Sequence, residues 1–284
     1  MRKLYSPLRY PGGKAKVLNF MKELITKNNF SEKPVYVEPY AGGAAVALGL
    51  LIEEVVSQIY INDFDLAIYS FWEFCIKNDH MRFIEKIRKV NVSIKEWHKQ
   101  SKIYEFGKEG FDLGFATFFL NRCNHSGIIK GGVIGGLKQN SNYKIDCRFN
   151  KEDLISRVET ISKYKDKIHI YREDTKNFLC QTDMQKILQN CLLYLDPPYY
   201  KKGKQLYKNF YTHKDHQEIA DIMKSLNGKW VVSYDNRTEI QNLYNGFEKK
   251  EFNLTYCAGP IAKGAEVMFF SKELRFIPEL PNVA

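Results

Sequence analysis

Short apolar runs alternate with segments of helical spacing along most of this chain. Residues 35–38 (Val-Tyr-Val-Glu), 58–62, 168–171, 192–195, 229–233 and 267–270 are strand-like: brief, rich in aliphatic and aromatic side chains, and separated by longer polar or helical stretches. Between them, Val17, Phe20, Met21, Leu24 and Ile25 recur at the spacing of one helix face, and residues 44–56 form a mostly apolar stretch of helical character. Asp215 and Glu218 precede Ile219, Ile222, Met223 and Leu226, an acidic N-cap signal ahead of a helical pattern. Strand–helix alternation predicts an α/β fold: a mainly parallel sheet covered by helices on both faces.

The alternation lapses between about residues 71 and 162. That stretch reads as helical over 71–90 and then turns rich in Gly, Asn and Lys around 121–150. Its position inside an α/β pattern that resumes at Ile168 predicts an insertion, residues 67–165, within a domain made of 1–66 and 166–284. Charge supports this division. The chain of 284 residues carries a net +10, and residues 67–165 alone hold +7 of it. An excess of that kind suits a polyanionic partner. A second basic stretch places Lys201, Lys202, Lys204, Lys208 and Lys214 among Tyr199, Tyr200, Tyr207, Phe210 and Tyr211, a mixture suited either to a solvated loop or to phosphate contact with base stacking.

Composition narrows the setting. The longest apolar run, residues 42–52, is shorter than a membrane span and contains three glycines. The amino-terminal residues lead into charge, Pro and Gly rather than an apolar signal core, which predicts a cytoplasmic protein. The six cysteines include no Cys-x-x-Cys and no pair at metal-ligand spacing, so they read as reduced thiols and no metal site is expected.

Candidate chemistry gathers at strand ends. Leu193-Tyr194-Leu195-Asp196-Pro197-Pro198-Tyr199 runs an apolar strand into an acid, two prolines and an aromatic ring. The prolines lack N–H groups and stiffen the turn, so the carboxylate and the Pro197 carbonyl become fixed acceptors beside the Tyr199 plate. Such a set suits a planar ring with an exocyclic amine. Residues 35–45 run a strand into a small-residue turn and a helix, where backbone N–H groups approach a ligand closely, though the dinucleotide fingerprint fails at Ala44 and Ala47. Asp63 ends the next strand about 20 residues on, where an acid accepts from a ribose diol or caps a helix. Tyr10-Pro11-Gly12-Gly13-Lys14 is a further Gly-rich turn, but not a phosphate loop.

These segments together resemble the Dam-like, or D12, class of DNA N6-adenine methyltransferases over most of the chain. The residues from Tyr10 to Lys14 are similar to that class's amino-terminal cofactor motif. Glu38, Pro39, Tyr40, Ala41, Gly42 and Gly43 resemble its methionine-side loop, Asp63 its ribose acid, and Arg172-Glu173-Asp174 the segment reaching the cofactor's adenine ring. Asp196-Pro197-Pro198-Tyr199 matches its catalytic tetrapeptide, and the motif order is that of the α group. Residues 118–122 and 143–150 resemble target-recognition segments of some members. Ala44 or Ala45 stands where many members have a second Gly, and Tyr10 where some have Trp; if the turn needs positive φ there, Ala is strained.

The resemblance implies a Rossmann-like methyltransferase sheet with an inserted, mainly helical target-recognition domain. It implies S-adenosyl-L-methionine as cofactor, and double-stranded DNA as substrate with the target adenine flipped out of the helix. Asp196 and the Pro197 carbonyl would accept from the N6 amine while Tyr199 stacks on the base, with direct methyl transfer and no covalent enzyme intermediate. Asp196 would also border the cofactor, together with Asp174. Arg122, Asn124, His125, Lys130 and Arg148 of the insertion are candidate DNA contacts, as are Lys201, Lys202 and Lys204. A restriction endonuclease partner and a nucleoid location accompany the same reading. An N4-cytosine or RNA methyltransferase, and a DNA-binding regulator with weakened catalysis, are the competing readings.

Overall fold

The computed structural model describes residues 5–9, 15–30, 32–200, 211–256 and 262–279. A seven-stranded sheet organises them. Its strands are β1 (Val35–Glu38), β2 (Gln58–Asn62), β3 (Ile168–Tyr171), β4 (Cys191–Leu195), β5 (Lys229–Asp235), β6 (Glu248–Tyr256) and β7 (Ala262–Phe270). They lie in the order β3-β2-β1-β4-β5-β7-β6. The first five are mutually parallel, and β7 is antiparallel to both β5 and β6. The chain steps outward from β1 to β2 and β3, then returns to the other side of β1 for β4. This reversal opens a crevice at the carboxyl ends of β1 and β4, the place where ligands bind in open α/β sheets.

Period-two alternation divides the core in two. Tyr36, Leu192, Tyr194, Val231, Met268 and Phe270 point to one face and join the apolar residues of α1 (Ala15–Lys27) and α2 (Ala45–Ile52). Val37, Leu193, Leu195, Trp230, Val232 and Phe269 point to the other. There they meet α8 (Thr175–Cys180), α9 (Thr182–Leu188), α10 (His213–Ser225) and α11 (Thr238–Leu243). All five residues of β4 are buried, as expected of a central strand covered on both sides. No helix among the described residues is long and apolar enough to cross a membrane.

The stretch between β2 and β3 is mainly helical. It holds α3 (Leu66–Ser70), a π-helical turn (Phe71–Asn78), α4 (His80–Lys89), α5 (Ile94–Phe106), α6 (Phe111–Cys123) and α7 (Lys151–Ser162), with irregular chain over much of 124–150. Its apolar side chains are continuous with the core on the α1–α2 face. Twelve of the thirteen residues of α6 are buried, so its sequence shows no polar stripe.

Two elements depart from expectation. The strand β6 has no apolar signature, because Glu248, Lys249, Lys250 and Glu251 break any such run; it is an edge strand, where charge blocks pairing with another chain. The helix cap is Thr212 rather than Asp215: the Thr212 side chain accepts from Asp215 N–H, and the Asp215 carboxylate accepts from Thr212 N–H at 2.8 Å, forming a reciprocal box.

The stretch between β2 and β3 also holds the amino-terminal segment. Arg9 N–H donates to Asn121 Oδ1 at 2.6 Å, and Asn121 Nδ2 donates to the carbonyls of Arg9 and Gly127, each at 2.8 Å. Gly127 adopts φ +77°, and a Cβ there would stand 2.6 Å from the Arg9 carbonyl oxygen. Replacing Asn121 by Leu should orphan these backbone groups and cost about 2–4 kcal/mol in denaturant unfolding. Residues 5–9 should then become cleavable by added protease under native conditions.

Candidate active site

The carboxyl edge of the sheet is knitted by side chains that end the strands. Asn62 is buried at the end of β2. Its Nδ2 donates to the carbonyls of Pro39 (3.0 Å) and Glu173 (3.1 Å), and its Oδ1 accepts from Glu173 N–H (2.8 Å). One amide thus fixes the chain leaving β1 and β3. Sequence reasoning misses Asn62; its only signal is a polar residue closing an apolar strand.

Asp63 follows. Its Oδ2 accepts from Gly42 N–H and its Oδ1 from Asp65 N–H, at 2.8 and 2.9 Å. The Gly42 carbonyl in turn accepts from Trp72 Nε1 at 2.9 Å, so the insertion braces the small-residue turn from its other side. Gly42 has φ +46°. Ala44, which precedes α2, has φ 46° and ψ 33°, a left-handed conformation that glycine adopts without steric cost. Pro39, Ala41, Gly42, Gly43 and Ala44 are buried and Glu38 is 1 % exposed, while Tyr40 is half-buried with its hydroxyl 2.9 Å from that of Tyr211. Burial, augmented by the nearby charges of Glu38 and Asp196, holds the Tyr36 phenol well above its ordinary range.

Asp196 lies at the mouth of β4, next to β1 in the sheet. Tyr194 and Glu38 share the sheet face that Asp196 continues. The turn it opens is clasped by β5 and β7. Ser233 Oγ donates to Asp196 Oδ1 at 2.7 Å, Tyr200 N–H donates to Asp235 Oδ1 at 2.8 Å, and the Tyr199 hydroxyl donates to Glu266 Oε1 at 2.6 Å. Ser233 and Asp235 are two residues apart on β5, and Glu266 stands directly opposite Asp235 in the β5–β7 ladder. All three therefore project from one face. Pro197 is buried, and Pro198 and Tyr199 are half-buried. Beyond the turn, the Tyr200 ring packs against His216, which burial pushes down to about 4 and so keeps neutral.

The other expected residues divide. Asp174 caps α8, its Oδ1 accepting from Lys176 N–H at 3.0 Å. His125, Lys130 and Arg148 are exposed. Asn124 and Arg122 are corrections. Asn124 is 0 % exposed, with its Oδ1 accepting from Trp97 Nε1 at 2.7 Å and its Nδ2 donating to the Ile129 carbonyl at 2.8 Å, so it holds the insertion together and presents nothing to a base. Arg122 is 7 % exposed and donates from Nε to the Arg148 carbonyl; burial, with Arg157 and Arg9 nearby, lowers its guanidinium to about 9. Both belong to a packed helix end rather than to a surface. Tyr10 and Lys14, and Lys201, Lys202 and Lys204, lie outside the described residues.

Relief of the left-handed alanine gives a direct test of this turn. Ala44→Gly should stabilise the fold by roughly 0.5–1 kcal/mol, seen as a higher midpoint of thermal unfolding.

A family model described as D12 class N6 adenine-specific DNA methyltransferase matches residues 10–256. Modification methylase StsI of Streptococcus sanguinis is 22 % identical over 242 residues, which cover 78 % of this chain and 33 % of that protein; the chain thus spans about a third of it. Type II methyltransferase M.MjaIII of Methanocaldococcus jannaschii is 25 % identical over 264 residues, covering 88 % of this chain and 86 % of that one. Among solved structures, the rRNA methyltransferase aviRa from Streptomyces viridochromogenes aligns with a TM-score of 0.41 at 10 % identity, over 90 % of this chain and 86 % of that chain.

Proposed function

Because the chain belongs to the D12 class N6 adenine-specific DNA methyltransferase family, we propose that it methylates N6 of adenine in double-stranded DNA with S-adenosyl-L-methionine as the donor. The observation that carries this reading is the clasped turn: Asp196 is held by Ser233 at the crevice between β1 and β4, with Tyr199 anchored through its hydroxyl.

The donor set at the crevice fits the cofactor by its chemistry. Glu38 supplies a carboxylate for an ammonium group. Asp63, anchored to backbone at Gly42 and Asp65 at the carboxyl end of β2, supplies one for a diol. The turn of Ala41, Gly42 and Gly43 has no bulky side chain, and Asp174 and Tyr40 stand at its flank. Tyr10 and Lys14 join this set by family resemblance. The bound cofactor supplies an electrophilic methyl group already activated by a sulfonium.

The chain's own task is then orientation. Adenine N6 is a weak nucleophile because its lone pair is spread into the ring. Asp196 and the Pro197 carbonyl accept hydrogen bonds from its two N–H groups and favour a nitrogen whose lone pair projects from the ring plane, and one of those protons leaves once the new N–C bond has formed. Tyr199 stacks on the base, and its bond to Glu266 fixes the ring's tilt. Proximity supplies much of the rate, because transfer is direct. The base reaches this turn only outside the duplex, so the nucleotide is flipped.

DNA is held, on this reading, by the exposed His125, Lys130 and Arg148 of the insertion and by Lys201, Lys202 and Lys204. The lysine stretch is bounded by Tyr200, tied to Asp235, and by Tyr211, tied to Tyr40, so both flanks adjoin the crevice.

Asp196→Ala should lower N6-methyladenine formation in duplex DNA by at least about a hundredfold while the protein melts as the parent does. Base-modification sequencing of the product separates this outcome from N4-methylcytosine, and undiminished adenine methylation by the variant would refute the assignment. Charge reversal at Lys201 and Lys202 should weaken DNA binding and reduce the salt slope by about 0.9 for each phosphate no longer neutralised. A slope equal to the parent's would leave these lysines to solvent.

A further inference from the structure

We infer that Ser233, driven by Tyr194, is the positioning residue that sets which oxygen of Asp196 meets the substrate amine. The inference rests on Asp196 being the amine's acceptor and goes beyond it by assigning two buried hydroxyls.

Ser233 sits on β5 at 1 % exposure and Tyr194 on β4, also at 1 %. The two hydroxyl oxygens are 2.9 Å apart, and Ser233 Oγ is 2.7 Å from Asp196 Oδ1. A serine hydroxyl has one proton. The shorter contact, to a carboxylate, takes it, so Tyr194 must donate for the longer contact to be a hydrogen bond. The direction is therefore Tyr194 O–H to Ser233 Oγ, then Ser233 O–H to Asp196 Oδ1. Each bond polarises the next in a site shielded from water.

Sheet geometry enforces this alignment. Tyr194 is paired with Val231 and Leu195 with Val232, so one step further Asp196 comes level with Ser233. Tyr194, Asp196 and Ser233 project from the same face. The relay occupies Oδ1 from the β5 side, so a strand remote from Asp196 in sequence restrains the carboxylate plane. An amine arriving at Asp196 then meets an oxygen whose position does not depend on the substrate, and little reorganisation is needed during transfer. The charged or titratable groups facing this relay are Glu38 and Tyr36 from β1, Asp235 from β5 and Glu266 from β7. Neither relay hydroxyl is itself placed to touch the base.

The test compares Ser233→Ala, Ser233→Thr and Tyr194→Phe in steady-state methylation of duplex DNA, alongside Asp196→Ala. Ser233→Ala should lower kcat by about tenfold to a hundredfold, the range for losing a hydrogen bond to a charged acceptor, with KM for S-adenosyl-L-methionine and the Kd for DNA within about twofold of the parent. Tyr194→Phe should lower kcat less, in the same direction. Ser233→Thr keeps the hydroxyl and should recover most of the rate. A purely structural role would instead move KM and melting temperature, and would not be rescued by threonine. Ser233→Ala with kcat within about twofold of the parent overturns the relay, provided Asp196→Ala is inactive. Full activity of Asp196→Ala overturns the reading beneath it.

Discussion

Asp235 and Glu266 stand opposite each other across the β5–β7 ladder, and two carboxylates at that separation repel. The turn that leaves β4 answers both. The Tyr200 backbone N–H reaches Asp235, and the Tyr199 hydroxyl reaches Glu266. Charge-assisted hydrogen bonds of this kind contribute about 1.5–3 kcal/mol each, enough to offset the repulsion and to fix the turn's course. The prolines between Asp196 and Tyr199 restrict the same course from within. The turn proposed as the catalytic corner is therefore determined twice, once by its own backbone and once by two neighbouring strands.

The small-residue turn after β1 is built on a similar principle with different parts. Asp63 binds Gly42 through the amide, and Trp72 binds it through the carbonyl. A peptide held at both ends can keep Gly42 and Ala44 in left-handed conformations. For Ala44 this costs roughly 1–2 kcal/mol, and the cost is sustained because the surrounding bonds over-determine the turn. Trp72 comes from the π-helical turn that follows α3, so the stretch that carries the exposed basic residues also shapes this turn. The Asn121 clamp adds a second link, holding the segment just ahead of the Tyr10–Lys14 motif.

Much of this is legible in the chain because strand ends in a parallel sheet combine two strong signals. Apolar residues at short spacing locate β1, β2 and β4, and the acid that follows each names a chemical group at the edge where ligands bind. The same method misses β6, whose charges suit an edge and hide its strand character. It also misreads the end of α6. Arg122 and Asn124 look like nucleic-acid contacts by type, but periodicity fails in a helix buried all round, and no pattern distinguishes a polar residue clamping backbone from one facing solvent. The basic excess of the insertion marks a region while saying nothing about which of its cations face solvent.

Ser233, Asp235 and Glu266 are hidden for a related reason. On β5 the apolar run ends at Ser233, and a serine there reads as a strand terminus. Only the parallel register with β4, which no single segment contains, brings it level with Asp196. The general consequence is that the residues proposed for the chemistry in this sheet are visible in one strand at a time, whereas those that bond to them become visible only once adjacent strands are paired. A carboxylate is a flexible acceptor, and in water its plane is averaged by rotation about one bond. Tethering it to a hydroxyl on the neighbouring strand, itself held by Tyr194, restricts that rotation and gives the group a direction, which is what the proposed role toward a weakly nucleophilic amine requires.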